Sequence, residues 1–268
     1  IRQDDTIFDL NKMGYIVNSF SPPVSNWQYT WQNVGMYKNV LTNSQVQQTT
    51  IPFEISWIGK DFYDFELLRL KLNEIFVSKE PFYVIWTMLP YLRYKCVIDP
   101  SSVDTTQVSQ VPVGKNIKMN FLCIDGFAES TASTQTPFTY DENAWGIGEN
   151  LPNGDDLKYT FSETNFKVFN GSIIPLRAEE HPFTITFQGT VPSELTIENV
   201  TTGQIFTLSK ALSSSDTMEL VGLVPIVNGS QAYGDSNHAY LDLAVGWNEF
   251  KISGATNFTI SFDTHFYY

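Results

Sequence analysis

From about residue 171 to the C-terminus, apolar residues alternate with polar ones in short runs, and turn signals separate the runs at close intervals. Phe183, Ile185 and Phe187 alternate with Thr184 and Thr186. Leu195 and Ile197 do the same, Phe206 and Leu208 follow the Thr202-Gly203 turn, and Met218, Leu220 and Val224 come next. Leu241, Leu243 and Val245, then Phe250 and Ile252, then Phe258, Ile260 and Phe262 complete the series. A period of two gives each strand one apolar face that must be covered. A series of about seven such strands indicates two sheets packed face to face, a β-sandwich.

The first half obeys a different rule. Phe62, Phe65, Leu68, Leu72, Ile75 and Phe76 recur at steps of three or four, which predicts one amphipathic helix from Phe62 to about Val77. Asp61 suits its N-cap, Asp64 its first turn, and Pro81 follows its end beyond Lys79. Around it, Ile51 to Ile58, Phe82 to Met88, Tyr91 to Ile98 and Ile117 to Ile124 read as strands. This order predicts an α+β unit, a mostly antiparallel sheet crossed by a single helix.

Between Gly126 and about Thr164, Ser, Thr, Pro, Asn, Gly and acidic residues dominate, with Phe138, Tyr140 and Trp145 isolated among them. A structureless loop of this length is uncommon in a compact domain, so the segment reads as an arm, a long hairpin or a partner-binding insertion. The expected organisation is therefore an N-terminal domain over 1–125, a polar insertion over 126–165 and a sandwich over 166–268. The last strand, ending Phe266-Tyr267-Tyr268, either stays with the sandwich or returns to the first domain.

Charge and chemistry exclude several functions. A net charge of −13 repels phosphate backbones over most of the surface, which disfavours a nucleic-acid grip. No apolar run approaches the roughly 18 residues that cross a bilayer, so no membrane partner is expected. No phosphate-cradling glycine loop, dinucleotide fingerprint or serine elbow is present. His181, His238 and His265 are scattered, giving no zinc signature with the two cysteines. Cys96 and Cys123 sit in apolar, strand-like runs and read as buried free thiols, a disulfide being the alternative.

Acidic pairs at Asp141-Glu142, Asp155-Asp156 and Glu179-Glu180 lie in loop-like sequence, where such neighbours are solvated rather than catalytic. Asn153, Asp155 and Asp156 lack the alternating pattern of a calcium loop. Asn-x-Ser/Thr sequons at Asn170, Asn199, Asn228 and Asn257 arise readily in so Asn-, Ser- and Thr-rich a chain. No catalytic residue, metal or cofactor is expected.

Trp27, Tyr29 and Trp31 alternate in one short run, which places three large rings on one face of a strand or arm. Such a face is either the buried side of an ordinary strand or an anchor for a partner, because Trp and Tyr are enriched at interface cores. Together with Phe138, Tyr140 and Trp145, these form the candidate set of subunit or partner contacts.

The order of motifs resembles the distal tail protein family of long, flexible-tailed bacteriophages. Thr50-Ile-Pro-Phe-Glu-Ile-Ser-Trp, the Asp61 to Phe76 helix, and the Glu80-Pro81 strand leading to Tyr91-Leu-Arg-Tyr-Lys-Cys-Val-Ile98 carry it first. Phe169-Asn-Gly, His181-Pro-Phe-Thr-Ile-Thr-Phe and Ile197-Glu-Asn-Val-Thr-Thr-Gly-Gln-Ile-Phe206 continue it. Leu243-Ala-Val-Gly-Trp-Asn-Glu-Phe-Lys-Ile252 and Phe258-Thr-Ile-Ser-Phe262 close it.

The resemblance implies a ring-forming N-terminal domain assembled as a homo-hexamer around the tail channel, and a galectin-like sandwich pointing outward. It implies a non-enzymatic hub in the virion tail, assembled in the bacterial cytoplasm, that joins the tail tube protein to a tip protein and to receptor-binding or baseplate proteins. DNA would pass through its channel without specific binding. The alternative is a carbohydrate-binding galectin-like module, which would need a ring such as Trp247 exposed beside polar side chains.

Overall fold

Strands account for most of the regular structure in the computed structural model, which describes residues 1–2, 6–100, 111–139, 144–152 and 157–268. Two units divide the chain, Ile1–Ala128 and Glu129–Tyr268.

In unit 1 the elements run β1 (Tyr15–Phe20), β2 (Asn26–Asn33), β3 (Asn39–Gln47), β4 (Thr49–Ile58), α1 (Phe62–Phe76), β5 (Phe82–Ile85), β6 (Leu92–Ile98) and β7 (Val113–Cys123). Five of them form an antiparallel sheet in the order β1-β4-β7-β6-β5. Strand β4 shows why: Ile51, Phe53, Ile55 and Trp57 point to one face and are buried, while the residues between them are not. Helix α1 covers that face. Asp61 caps it by accepting a hydrogen bond from the Asp64 N–H at 2.8 Å. Phe65, Leu72, Ile75 and Phe76 form its buried side. The Phe65 ring stacks on Trp57, with centroids 5.5 Å apart, and Phe76 meets Phe53, Phe82 and Phe121.

The helix and the antiparallel sheet are as the sequence predicts, with shifted ends. Strand β5 stops at Ile85 rather than Met88, because the chain turns there. Leu89 N–H donates to the Trp86 carbonyl and Leu92 N–H to the Leu89 carbonyl, around a proline that has no N–H for the ladder. Strands β1 and β3 go beyond the elements expected from the sequence, while β2 is the strand or arm expected around Trp27, Tyr29 and Trp31. Cys96 and Cys123 are buried free thiols.

Unit 2 comprises β8 (Glu129–Ser130), β9 (Thr160–Phe161), β10 (Asn165–Asn170), β11 (Phe183–Thr190), β12 (Leu195–Asn199), β13 (Gln204–Leu208), β14 (Thr217–Val221), β15 (Val224–Val227), β16 (Ser230–Gln231), β17 (Gly246–Ser253) and β18 (Thr256–Thr264). One sheet runs β10-β17-β12-β13 and the other β16-β15-β14-β11-β18-β9. Aromatic rings join them: Phe262 of β18 lies 4.9 Å from Phe250 of β17 and 5.8 Å from Phe166 of β10. The fold is thus mainly β, an α+β unit followed by a sandwich.

One expected strand is absent. Leu241 and Leu243 are fully buried, yet their segment makes only one isolated bridge, from Leu243 to Leu176. Side chains replace the missing ladder. Asn199 Nδ2 donates to the Asp242 carbonyl at 2.7 Å, Asn170 Nδ2 to the Leu243 carbonyl at 3.3 Å, and Asp242 N–H to Gln204 Oε1 at 2.7 Å. Buried backbone groups need partners, and amide side chains supply them here. Two of the four sequon asparagines are therefore internal.

The 126–165 segment does not project as an arm where it is described. Residues from Glu129 onward run along the end of β18 that β9 leaves unpaired and along the residues after it. Ser130 N–H donates to the Phe266 carbonyl at 2.7 Å, Thr134 N–H to the Thr264 carbonyl at 2.9 Å, and Thr134 Oγ1 to the Phe262 carbonyl at 2.7 Å. Its hydroxyls satisfy a strand edge rather than face water, which is why a polar composition misleads here. The C-terminal residues belong to unit 2: Ile173 N–H donates to the Tyr267 carbonyl at 2.9 Å, and the Tyr268 hydroxyl donates to the Glu149 carbonyl at 2.9 Å.

Candidate interaction surface

Among the described residues, strands β2 and β3 pair only with each other and form a two-stranded ribbon. All eight residues of β2 are exposed. Trp27, Tyr29 and Trp31 are 39%, 51% and 59% exposed, and the Tyr29 and Trp31 rings lie 6.3 Å apart on one face. Val46 is the register partner of Trp27 and Leu41 that of Trp31, so the rings extend into an apolar stripe. At the tip, Val34 N–H donates to the Lys38 carbonyl at 2.7 Å and leaves Met36 and Tyr37 almost fully in solvent. The base is anchored: Trp27 packs edge-on against Phe127 at 6.4 Å, and Asn26 N–H donates to Thr49 Oγ1 at 3.2 Å.

Electrostatics sharpen the picture. From Asn26 to Gln47 the only charged residue is Lys38, in a chain whose net charge is −13. Exposed strands that must stay in water carry charges to blunt their edges, whereas interface cores are depleted of them. A lone two-stranded ribbon is marginal in water, and contiguous exposed apolar surface marks contact sites. The outer side of α1 adds Phe62, Tyr63, Leu67 and Leu70, all exposed. Most of the exposed large hydrophobic side chains among the described residues belong to unit 1.

The other aromatic candidates fall elsewhere. Trp145 is buried, stacked on Phe138 at 4.4 Å and 5.8 Å from Phe266, while Phe138 also stacks on Tyr159 at 5.4 Å. These rings form a small core of unit 2 and are already in use there. Beside them Glu149 is buried: its Oε2 accepts from the Gly146 N–H, its Oε1 has no partner among the described residues, and burial pushes its carboxyl up to about 7. Tyr140 lies outside the described residues, as do Asp141, Glu142, Asn153, Asp155 and Asp156. Glu179 and Glu180 are exposed, and Glu180 meets Arg177 at 3.5 Å. Among the described residues no group of His, Cys, Asp and Glu could hold a metal ion, and no helix is long and apolar enough to cross a membrane.

The ribbon's tip and its β3 side are absent from the residues that sequence reasoning selects. The signal that finds them is charge depletion: a stretch of 26–47 holding a single charge, with rings at alternate positions.

Residues 6–123 match the family described as the phage tail protein RIFT-related domain. Across the whole chain the fold is similar to that of the Dit protein of SPP1, described as a paradigm of the hub adsorption apparatus in phages infecting Gram-positive hosts. The TM-score is 0.70 at 11% identity, covering 95% of each chain. Chains from the phage p2 baseplate in its activated conformation, with Sr or with Ca, are similar at a TM-score of 0.50 and 9% identity, covering 98% of this chain and 94% of theirs. No curated protein sequence matches the chain significantly. The family match spans nearly all of unit 1, so residues 6–123 are similar to the phage tail protein RIFT-related domain, and the fold of the chain is that of the Dit protein.

Proposed function

We propose that the protein is a structural hub of a phage tail tip. Six copies close into a ring through unit 1 around the tail channel, joining the tail tube protein to a tip protein and to the receptor-binding or baseplate apparatus. Assembly takes place in the bacterial cytoplasm and the product resides in the virion tail. The single observation that carries this reading is the ring-bearing β2–β3 ribbon, whose one charge is Lys38 at its tip and which is exposed along all of β2. A closed ring requires a heterologous contact, in which one patch meets a different patch on the next copy. The ribbon supplies one such patch, and the exposed apolar side of α1 is a candidate for the other.

The work of such a ring is mechanical connection rather than catalysis. Part of the −13 charge lines its channel, so that passing DNA finds no counterion-releasing contacts to hold it. Native mass spectrometry tests the reading, on the chain alone and mixed with the tail tube and tip proteins of the same phage. A hexamer in either sample is expected, and replacing Trp27, Tyr29 and Trp31 with Ser abolishes it while leaving the circular dichroism spectrum unchanged. A monomer in every sample overturns the reading.

A second reading, carbohydrate binding by unit 2, has one observation in its favour. Trp247 is 42% exposed, and the Lys167–Glu249 ion pair at 2.9 Å follows it along β17. Its ring is already in contact with Phe169 at 5.1 Å. A monomer that binds glycans, and loses them on Trp247→Ala, favours this reading over the hub.

A further inference from the structure

We propose that Cys96 and Cys123 form a latent redox site, which a peroxide converts into a disulfide tying β6 to β7 across the sheet of unit 1. The inference concerns unit 1 itself and stands whether or not the chain forms a ring.

The ladder places the two thiols side by side. Cys96 and Cys123 are register partners on antiparallel strands. Ile124 N–H donates to the Lys95 carbonyl at 3.0 Å and Asp99 N–H to the Asn120 carbonyl at 2.9 Å. Hydrogen-bonded and non-hydrogen-bonded pairs alternate along such a ladder, so Cys96 and Cys123 occupy a non-hydrogen-bonded pair, where Cα atoms lie about 4.5 Å apart and side chains are closest. Disulfides span Cα separations of about 4.4 to 6.8 Å, so closure needs only a small adjustment. Phe82 flanks Cys96 on β5 and Thr49 flanks Cys123 on β4, which sets the pair inside the sheet. Exposure of the two residues is 0% and 1%.

Their roles differ. Cys123 beside it and burial hold the Cys96 thiol above its ordinary range. At Cys123 the neighbouring Cys96 and the Gly126 and Asp125 N–H groups outweigh burial and lower the thiol. In the neutral form Cys123 Sγ donates to the Phe127 carbonyl at 3.4 Å. The backbone N–H groups that reach the Cys123 sulfur make it the attacking sulfur in this proposal, with Cys96 as the resolving thiol.

The chemistry balances with hydrogen peroxide as oxidant. The Cys123 thiolate attacks one peroxide oxygen, an S–O bond forms, the O–O bond breaks, and hydroxide leaves to become water by taking a proton. The Cys96 sulfur then attacks the sulfur of the Cys123 sulfenic acid. An S–S bond forms, the S–O bond breaks, and the departing hydroxide takes the Cys96 proton as a second water. Two thiols and one peroxide yield one disulfide and two waters, with two electrons passing to peroxide oxygen. Because both thiols are covered, the reaction waits on local opening. The four-residue edge strand β5 is the flank with the fewest backbone bonds to release. A reducing compartment keeps the pair as thiols.

The test treats the purified, reduced full chain with hydrogen peroxide, removes the excess with catalase, denatures, alkylates and measures intact mass. Loss of two hydrogens, full resistance of both cysteines to alkylation, a linked peptide holding Cys96 and Cys123, and reversal by dithiothreitol are expected. The oxidised form should melt several degrees higher, because the cross-link restrains the unfolded chain. In Cys96→Ala the remaining Cys123 should gain oxygen without losing hydrogens. If that variant does not fold, the wild-type result alone decides. Alkylation of both cysteines, oxygen added to one of them in the wild type, or a disulfide-linked dimer overturns the proposal.

Discussion

The indole of Trp57 occupies the space that a side chain at Gly114 would need: a methyl group there would come within 2.7 Å of Trp57 Cε2. The two residues are register partners on β4 and β7. Trp57 is fully buried and stacks on Phe65, so the ring cannot yield without disturbing α1. The glycine sets how closely helix and sheet pack.

Gly114→Ala is therefore expected to destabilise unit 1 by about 1–3 kcal/mol, the usual cost of overpacking a close-packed core. Urea unfolding should show a lower midpoint at unchanged slope. An unchanged midpoint would mean that Trp57 moves freely.

Asn199→Ala should cost unit 2 about 1–3 kcal/mol, since it leaves buried backbone groups without partners. Asn199 is fully buried, donating to the Asp242 carbonyl and accepting from the Thr201 N–H at 3.1 Å. Thermal unfolding measures the loss, and faster amide exchange around Asp242 should accompany it.

Two tryptophan truncations separate core from surface. Trp145→Ala removes a ring stacked inside unit 2 and should cost about 3–5 kcal/mol. Trp31→Ser removes a ring that is 59% exposed and should change the stability of the isolated chain by no more than about 0.5 kcal/mol. Equal losses in the two variants would show that the ribbon packs within the subunit.

Glu149 makes stability depend on pH. Burial raises its carboxyl from 4.5 to about 7, so between those values the folded chain holds a proton that the unfolded chain releases. Its contribution is therefore full below the lower value and is lost as pH rises through the upper one. Glu149→Gln cannot ionise and keeps an oxygen to accept from Gly146. The gap in melting temperature between variant and wild type should open across that interval and level off above it. A gap that stays constant with pH would place the carboxyl in contact with water.

The helix and its Asp61 cap were legible because period and cap chemistry act within a few residues. So were β4, β11 and β18, whose strict alternation admits no other reading. Leu241 to Val245 has the same alternation yet pairs with almost nothing, because asparagines distant in sequence reach its backbone first. The residues after Glu129 are polar for the same class of reason: they dress the edge of β18.

What the sequence determined by itself is whatever depends on near neighbours: where the chain alternates, where it winds, where it is capped, and that a ribbon with one charge and three spaced rings is unlike an ordinary solvated strand. Tertiary structure alone decided which rings face water. Trp31 and Trp145 have the same side chain, and each stands apart from any long apolar run, yet one is exposed and the other buried. Burial depends on which distant segments arrive to cover a residue, and residues far apart in the chain settle that through packing and hydrogen bonds that no local pattern records.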